Sequence, residues 1–392
     1  MDKHVIKKEA ALLLDEMIEI RRHLHMYPEL GEEEFETQKF IIRFLEKEGI
    51  SYEKSADTGV VAFIQGERAG KVIGLRADID ALPIQEKNEV SYCSKKDGIM
   101  HACGHDAHTA IALGYAKYFR HHQDFAGALK IFFQPAEETV GGAKRMIQEG
   151  CLENPKVDYC IGLHVHTALP SGQIELKYGA LNASTDSFEI VFRGKTCHGA
   201  YPELGIDAVL MACQTITMIQ SITSRTVSAL DSAVVTFGSI HGGEAGNVIA
   251  DEVRVRGTAR TLLPKTREMV LHKLQVISES IATSMGGTAE YIPDEGCYIP
   301  LINDDYVTSV LEHTANELLG EENVFRKSES SMGGEDFSFF CEAVPGSFYH
   351  LGAQKIGHEC GGHTAVFDID ESCLLTGLCV HIGVTLELLK ER

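Results

Sequence analysis

The stretch ALKIFFQPAEET, residues 128–139, sets the architecture. Ala128 to Phe133 is a short, nearly continuous apolar run of the kind a buried strand carries, and Gln134-Pro135 ends it because proline cannot donate to a sheet ladder. Ala136 to Glu149 then reads as a helix, which puts Glu137 and Glu138 at a strand's carboxyl end and in a helix's first turn. Outward from this stretch, Gly59 to Ile64 and Lys71 to Ala77 (KVIGLRA) read as strands on either side of the turn at 65–70. Asp106 to Arg120 reads as a helix, and Val157 to Leu163 as another apolar strand. Val5 to His25 and Glu33 to Glu48 carry helical spacing. Strands alternating with helices predict an α/β fold, a sheet with helices on both faces.

The pattern changes near Gly179 to Ser187. Phe188 to Phe192, Ala233 to Ile240 and Val253 to Thr261 read as strands, and Ala208 to Ser221 and Lys265 to Met285 as helices. This order matches a split βαβ sandwich inserted into the first domain. The boundaries expected are 1–182 and 298–392 for the first domain and 183–297 for the insert. From about Tyr298 the chain returns to helices and short strands, including Phe348 to Gly352. A chain of 392 residues is long enough for two cores.

The 57 acidic and 36 basic residues give a net charge of -21. That excess repels phosphate backbones and anionic membranes, so neither nucleic acid nor a membrane is an expected partner. The amino-terminal MDKHVIKKEAALLLDEMIEI resembles neither a signal peptide nor an anchor, and no other stretch is expected to approach the ~20 apolar residues of a spanning helix. Eleven scattered cysteines read as reduced thiols, and the cytoplasm is the expected compartment.

MHACGHDAH, residues 100–108, crowds His101, Cys103, His105, Asp106 and His108 into a helix start. Thiolate, imidazole and carboxylate are the donors that divalent transition metals take, and Cys103 and His105, two apart in a turn, can converge on one ion. A polar helix start with a buried cysteine, or a reactive thiol, is the alternative. Glu137 and Glu138 can act as a ligand beside a general base, or merely complement a helix dipole. His164 and His166 end the strand Val157 to Leu163, and His363 follows Gly361-Gly362; each taken singly reads as a hydrogen-bonded structural histidine. Asp78 and Asp80 lie in RADIDALP, where a capped turn is the plainer reading. Residues of metal-binding type thus recur after successive strands, which is how such enzymes assemble a site.

Together these segments resemble the M20 metallopeptidase family, specifically its amidohydrolase branch of hippurate hydrolases, auxin-conjugate hydrolases and N-acetyl-diaminopimelate deacetylases. The resemblance runs through RRHLHMYPELGEEEFET (21–37), LRADIDALPI (75–84), MHACGHDAHTA (100–110) and FQPAEET (133–139). It continues through GLHVH (162–166), GKTCHGAYP (194–202), GGEAGNVIAD (242–251) and GHTAVFDIDESCL (362–374). It implies a zinc-peptidase-like catalytic domain, with a mixed sheet flanked by helices, and an inserted ferredoxin-like dimerisation or lid domain. It further implies two divalent ions per chain (Zn, Mn, Co or Ni) held by Cys103, His105, Glu138, His164 and His363, with Cys103 bridging and Glu137 the general base. Other branches carry His-x-Asp where this chain has Asp78-Ile79-Asp80, so that first ligand role passes to His105. Asp80 or Asp78 would orient a ligand. His198, Asn247 and Arg260 match residues expected to contact substrate, His198 across a homodimer. The implied activity is hydrolysis of small N-acyl amino acids. A dipeptidase or carboxypeptidase of the same family, a thiol-dependent enzyme using Cys103 and a non-catalytic metal-binding protein are the alternatives.

Overall fold

The computed structural model describes residues 3–294 and 296–390, so residues 1–2, 295 and 391–392 of the expected segments lie outside the described residues. The chain forms two compact units, one of Met1–Gly179, Ile302–Glu329 and Asp336–Arg392, the other of Ala180–Leu301 and Ser330–Glu335. The second unit runs over 180–301 where 183–297 was expected, and residues 330–335 join it as well. Backbone bonds explain this: Ala183 N–H donates to the Ser331 carbonyl, and Ser331 N–H to the Leu181 carbonyl.

The first unit is built on an eight-stranded mixed sheet in the order Ser51–Ser55, Gly59–Gln65, Ala126–Gln134, Arg68–Asp78, Tyr159–Pro170, Gly346–Gln354, Ile174–Leu176, Val324–Arg326. Its four central strands, from Ala126–Gln134 to Gly346–Gln354, are parallel. Strand side chains alternate between faces, and both faces are apolar here. Ile131, Phe133, Tyr349 and Leu351 join the main core with the helices Leu14–Met26, His105–His121 and Cys373–Lys390. Phe132 stacks on Phe340, and Phe348 packs against Phe337. A strand buried on both sides reads as a nearly unbroken apolar run, as 128–133 does apart from Lys130, whose buried Nζ donates to the Cys151 carbonyl at 3.0 Å.

Several expected elements differ. Val5 to His25 is two helices, Lys3–Ala11 and Leu14–Met26. The helix expected from Ala136 forms only over Gly142–Gln148. Ala136 takes a φ of 56°, and its N–H and that of Glu138 are held by the carboxylates of Glu34 and Asp80 instead of a helical ladder. Glu137 and Glu138 therefore sit on an irregular loop after the strand. His164 and His166 do not end their strand, which continues to Pro170. Contrary to expectation, Cys373–Lys390 is long and apolar enough to cross a membrane by length and composition alone, but 72% of it is buried as a core helix.

In the second unit, the strands Ala233–Gly242, Glu252–Thr261, Asp186–Arg193 and Thr288–Pro293 form one antiparallel sheet in that order. The alternate residues Phe188, Ile190 and Phe192 are buried with Met211 of the helix Ala208–Ser221 and Val270 and Leu274 of Pro264–Ser284.

Candidate metal centre

The site grows from one tight turn. Gly104 has a φ of 97°, and a Cβ there would lie 2.2 Å from Val165 Cγ2. Only glycine tolerates both, and the close approach brings Cys103 Sγ to 3.2 Å from His164 Nε2. His164 Nδ1 lies 2.7 Å from the Val165 carbonyl and donates to it, so Nε2 carries the lone pair that faces the thiol. One residue past the glycine, His105 is fully buried in the first turn of the helix His105–His121. Asp80 Oδ1 accepts from its Nδ1 at 3.0 Å, which leaves the buried Nε2 without a hydrogen-bond partner.

The second side of the site comes from Glu138 and His363. His363 adopts a φ of 59° and donates its backbone N–H to the Ala102 carbonyl at 2.8 Å, tying this loop to the 100–105 turn. Its Nε2 reaches 3.0 Å from Glu138 Oε1, at ion-pair distance but without hydrogen-bond alignment, and Oε1 is a buried oxygen with no hydrogen-bond partner. Donor atoms of Cys103, His105 and His164 lie within 4.8 Å of one another, as do those of Cys103, Glu138 and His363. Cys103 belongs to both groups. Glu137 joins His105 and Glu138 in a third.

The site's titratable groups act strongly on one another. Burial alone would lower the basicity of His105, but Asp78, Cys103 and Asp80 overcome it and hold the imidazole well above its usual range. Glu138 raises His363, and burial pushes the Cys103 thiol well up. Thiol, imidazole and carboxylate donors, with the orphaned His105 Nε2 and Glu138 Oε1 among them, suit Zn, Mn, Co or Ni.

The two aspartates have different surroundings. Asp78 accepts from Arg76 at 2.6 Å and from His108 Nδ1 at 2.5 Å. His108 Nε2 in turn accepts the Val165 N–H at 3.0 Å, which fixes the tautomer. The fully buried Arg76 also binds Gln134 and Asp336. Asp78 Oδ2 also lies 3.5 Å from His105 Nε2, whereas Asp80 holds His105 Nδ1 with one oxygen and the Glu138 N–H with the other, at 2.9 Å. Neither His108 nor Arg76 was assigned a role by sequence reading. The signal for both was local, since His108 is one helical turn beyond His105 and Arg76 shares a strand face with Asp78. The RRHLH segment also gains a purpose: Arg21 Nε and His25 Nδ1, one turn apart, each lie 2.8 Å from Asp106 Oδ2 beside His105.

The remaining expected residues lie in the second unit. His198 and Asn247 are brought together: Cys197–His198 pairs with Val248–Ile249, and Gly199 N–H donates to the Asn247 carbonyl at 2.7 Å. Ala200 N–H donates to His198 Nδ1, which leaves the proton on Nε2 of the exposed ring. Arg260, on the strand Glu252–Thr261, donates to the Met332 carbonyl at 2.8 Å.

Residues 74–386 match the model of peptidase family M20/M25/M40, and the chain belongs to that family of hydrolases. Among its relatives, it is 41% identical over 362 residues to an N-acetyl-L-cysteine deacetylase of Bacillus subtilis (92% of this chain, 85% of that one). It is 38% identical over 364 residues to an N-acetyldiaminopimelate deacetylase of Priestia megaterium (92% and 95%). A solved structure of the YXEP protein of Bacillus subtilis, described as a dinuclear metal binding peptidase of the M20 family, is similar with a TM-score of 0.84 at 34% identity, covering 97% of this chain and all of the other.

Proposed function

We propose that this protein is a metal-dependent amidohydrolase that cleaves the amide bond of small N-acyl amino acids. The observation that carries the reading is the convergence of Cys103, His105, His164, Glu138 and His363 around two orphaned buried donors, His105 Nε2 and Glu138 Oε1, with Glu137 adjoining. The named substrates of the deacetylase relatives support the acyl amino acid class.

Cys103, His105, Glu138, His164 and His363 would hold two divalent cations, Zn, Mn, Co or Ni, with Cys103 shared. Such ions supply Lewis acidity toward the carbonyl and lower the pKa of water. Asp80 orients His105. Glu137 takes a proton from the attacking water as its oxygen bonds to the carbonyl carbon, then passes that proton to the leaving nitrogen as the carbon–nitrogen bond breaks. A carboxylic acid and a free amine result. The second unit is read as a ferredoxin-like lid through which two chains dimerise in the cytoplasm. His198, protonated at Nε2, donates to the developing oxyanion across that dimer, Asn247 contacts the substrate beside it, and Arg260 grips the substrate's carboxylate with its planar fork.

The test is hydrolysis of N-acetyl and N-benzoyl amino acids, with dipeptides alongside, by chelator-stripped protein resupplied with Zn, Mn, Co or Ni in turn. Activity should vanish and return at two ions per chain. Full turnover in the stripped protein would overturn the proposal, and preference for dipeptides would redirect it to a peptidase.

A further inference from the structure

A second group of metal-type side chains lies on the same sheet, apart from the residues assigned above. The strands Tyr159–Pro170, Gly346–Gln354 and Ile174–Leu176 run side by side. His350 is in register with His164 on one neighbour and with Glu175 on the other. Paired residues project from the same face of a sheet, and His166, two residues after His164, shares that face. Between them Val165, Leu351 and Ile174 turn to the opposite face and enter the core.

The three polar side chains converge. The rings of His166 and His350 are 5.3 Å apart between centroids at 81°. His350 Nδ1 lies 3.4 Å from Glu175 Oε2, and one donor atom of each residue falls within 4.8 Å of the other two. We propose that His166, Glu175 and His350 form a further binding site for a divalent transition-metal ion, separate from the Cys103 centre. Two imidazoles and a carboxylate are a donor set that zinc takes with a fourth position left to water, whereas magnesium and calcium favour oxygen alone. With His350 and Glu175 only 13% and 24% exposed, the site is sheltered yet open enough for an ion to enter.

Two existing contacts compete with the ion. Lys327 Nζ sits 3.0 Å from Glu175 Oε2, the oxygen nearest His350, and draws off its charge. Ala168 N–H donates to His166 Nδ1 at 3.2 Å, and a ring that ligates through Nε2 carries its proton on Nδ1, so that bond is lost. Both costs make this site weaker than the Cys103 centre, where His105 Nε2 and Glu138 Oε1 make no hydrogen bond that an ion must break. It fills last.

Cobalt titration of the stripped full-length protein separates the two. An ion at the Cys103 centre gives a thiolate-to-metal charge-transfer band, and an ion held by His166, Glu175 and His350 gives none. Equilibrium dialysis should show one further equivalent per chain taken up after that band saturates. His350→Phe and Glu175→Gln should each lose that equivalent and keep the band. Lys327→Met, which leaves every ligand in place, should tighten it by about two- to fivefold, the scale of one partly exposed ion pair. Uptake that stops when the band saturates, or an extra equivalent that survives both substitutions, overturns the proposal. Absence of the band itself would count against the Cys103 centre alone.

Discussion

Asp80 and His105 are joined at 3.0 Å between Oδ1 and Nδ1, and the same carboxylate holds the Glu138 N–H with its other oxygen. One side chain thus fixes both the tautomer of His105 and the loop that carries Glu138. Carboxylates behind a ligating histidine typically contribute ~10–100-fold in metal affinity or activity. Asp80→Asn is expected to lose about that much in each, with the fold retained, as measured by metal titration, kcat/KM and circular dichroism.

Asp78 should behave otherwise, because it is bound into the buried Arg76–Asp336 network. Arg76→Met would leave Asp78 and Asp336 buried without their cation, at a cost of about 3–5 kcal/mol. The expected result in denaturant unfolding is a large fall in midpoint. A variant as stable as the parent would show that the network is not holding the strand ends.

Glu137 is assigned proton transfer and no ligand bond. Glu137→Gln should therefore keep its metal content while turnover falls by at least ~100-fold. Metal analysis and single-turnover kinetics on an N-acetyl amino acid check this. Retained turnover removes Glu137 from the role.

Arg260→Ala should raise KM for substrates with a free carboxylate and leave simple amides little changed. The comparison is between an N-acyl amino acid and its amide. An equal loss on both excludes the proposed pairing.

Acid stability should depend on Glu86. Burial would raise its carboxyl, but His25, the Ser94 N–H and Asn88 outweigh burial and hold it at about 2, against 4.5 for the free side chain. The depressed value means that the stabilisation is present above pH 4.5 and lost as pH falls toward 2. Glu86→Gln should lower Tm near neutral pH and flatten its decline across that window. Parallel declines in parent and variant would deny Glu86 this part.

Apolar runs such as 128–133 and the spacing of MHACGHDAH were legible in the sequence, because alternation, turn-forming residues and donor chemistry are local properties. They sufficed for an α/β chain and for Cys103 and His105 as neighbours in one turn. The tertiary structure decided what depends on distant segments. That Asp80 takes His105 Nδ1, while Asp78 is shared among Arg76, His108 and the far side of His105, turns on where Arg76, Gln134 and Asp336 meet. The loop at Glu137 and Glu138 escaped its expected helix because Glu34 and Asp80, far away in sequence, satisfy the backbone N–H groups of Ala136 and Glu138. His166, Glu175 and His350 come together only through strand order. No local pattern encodes which strands become neighbours; that is settled by packing both faces of the sheet at once.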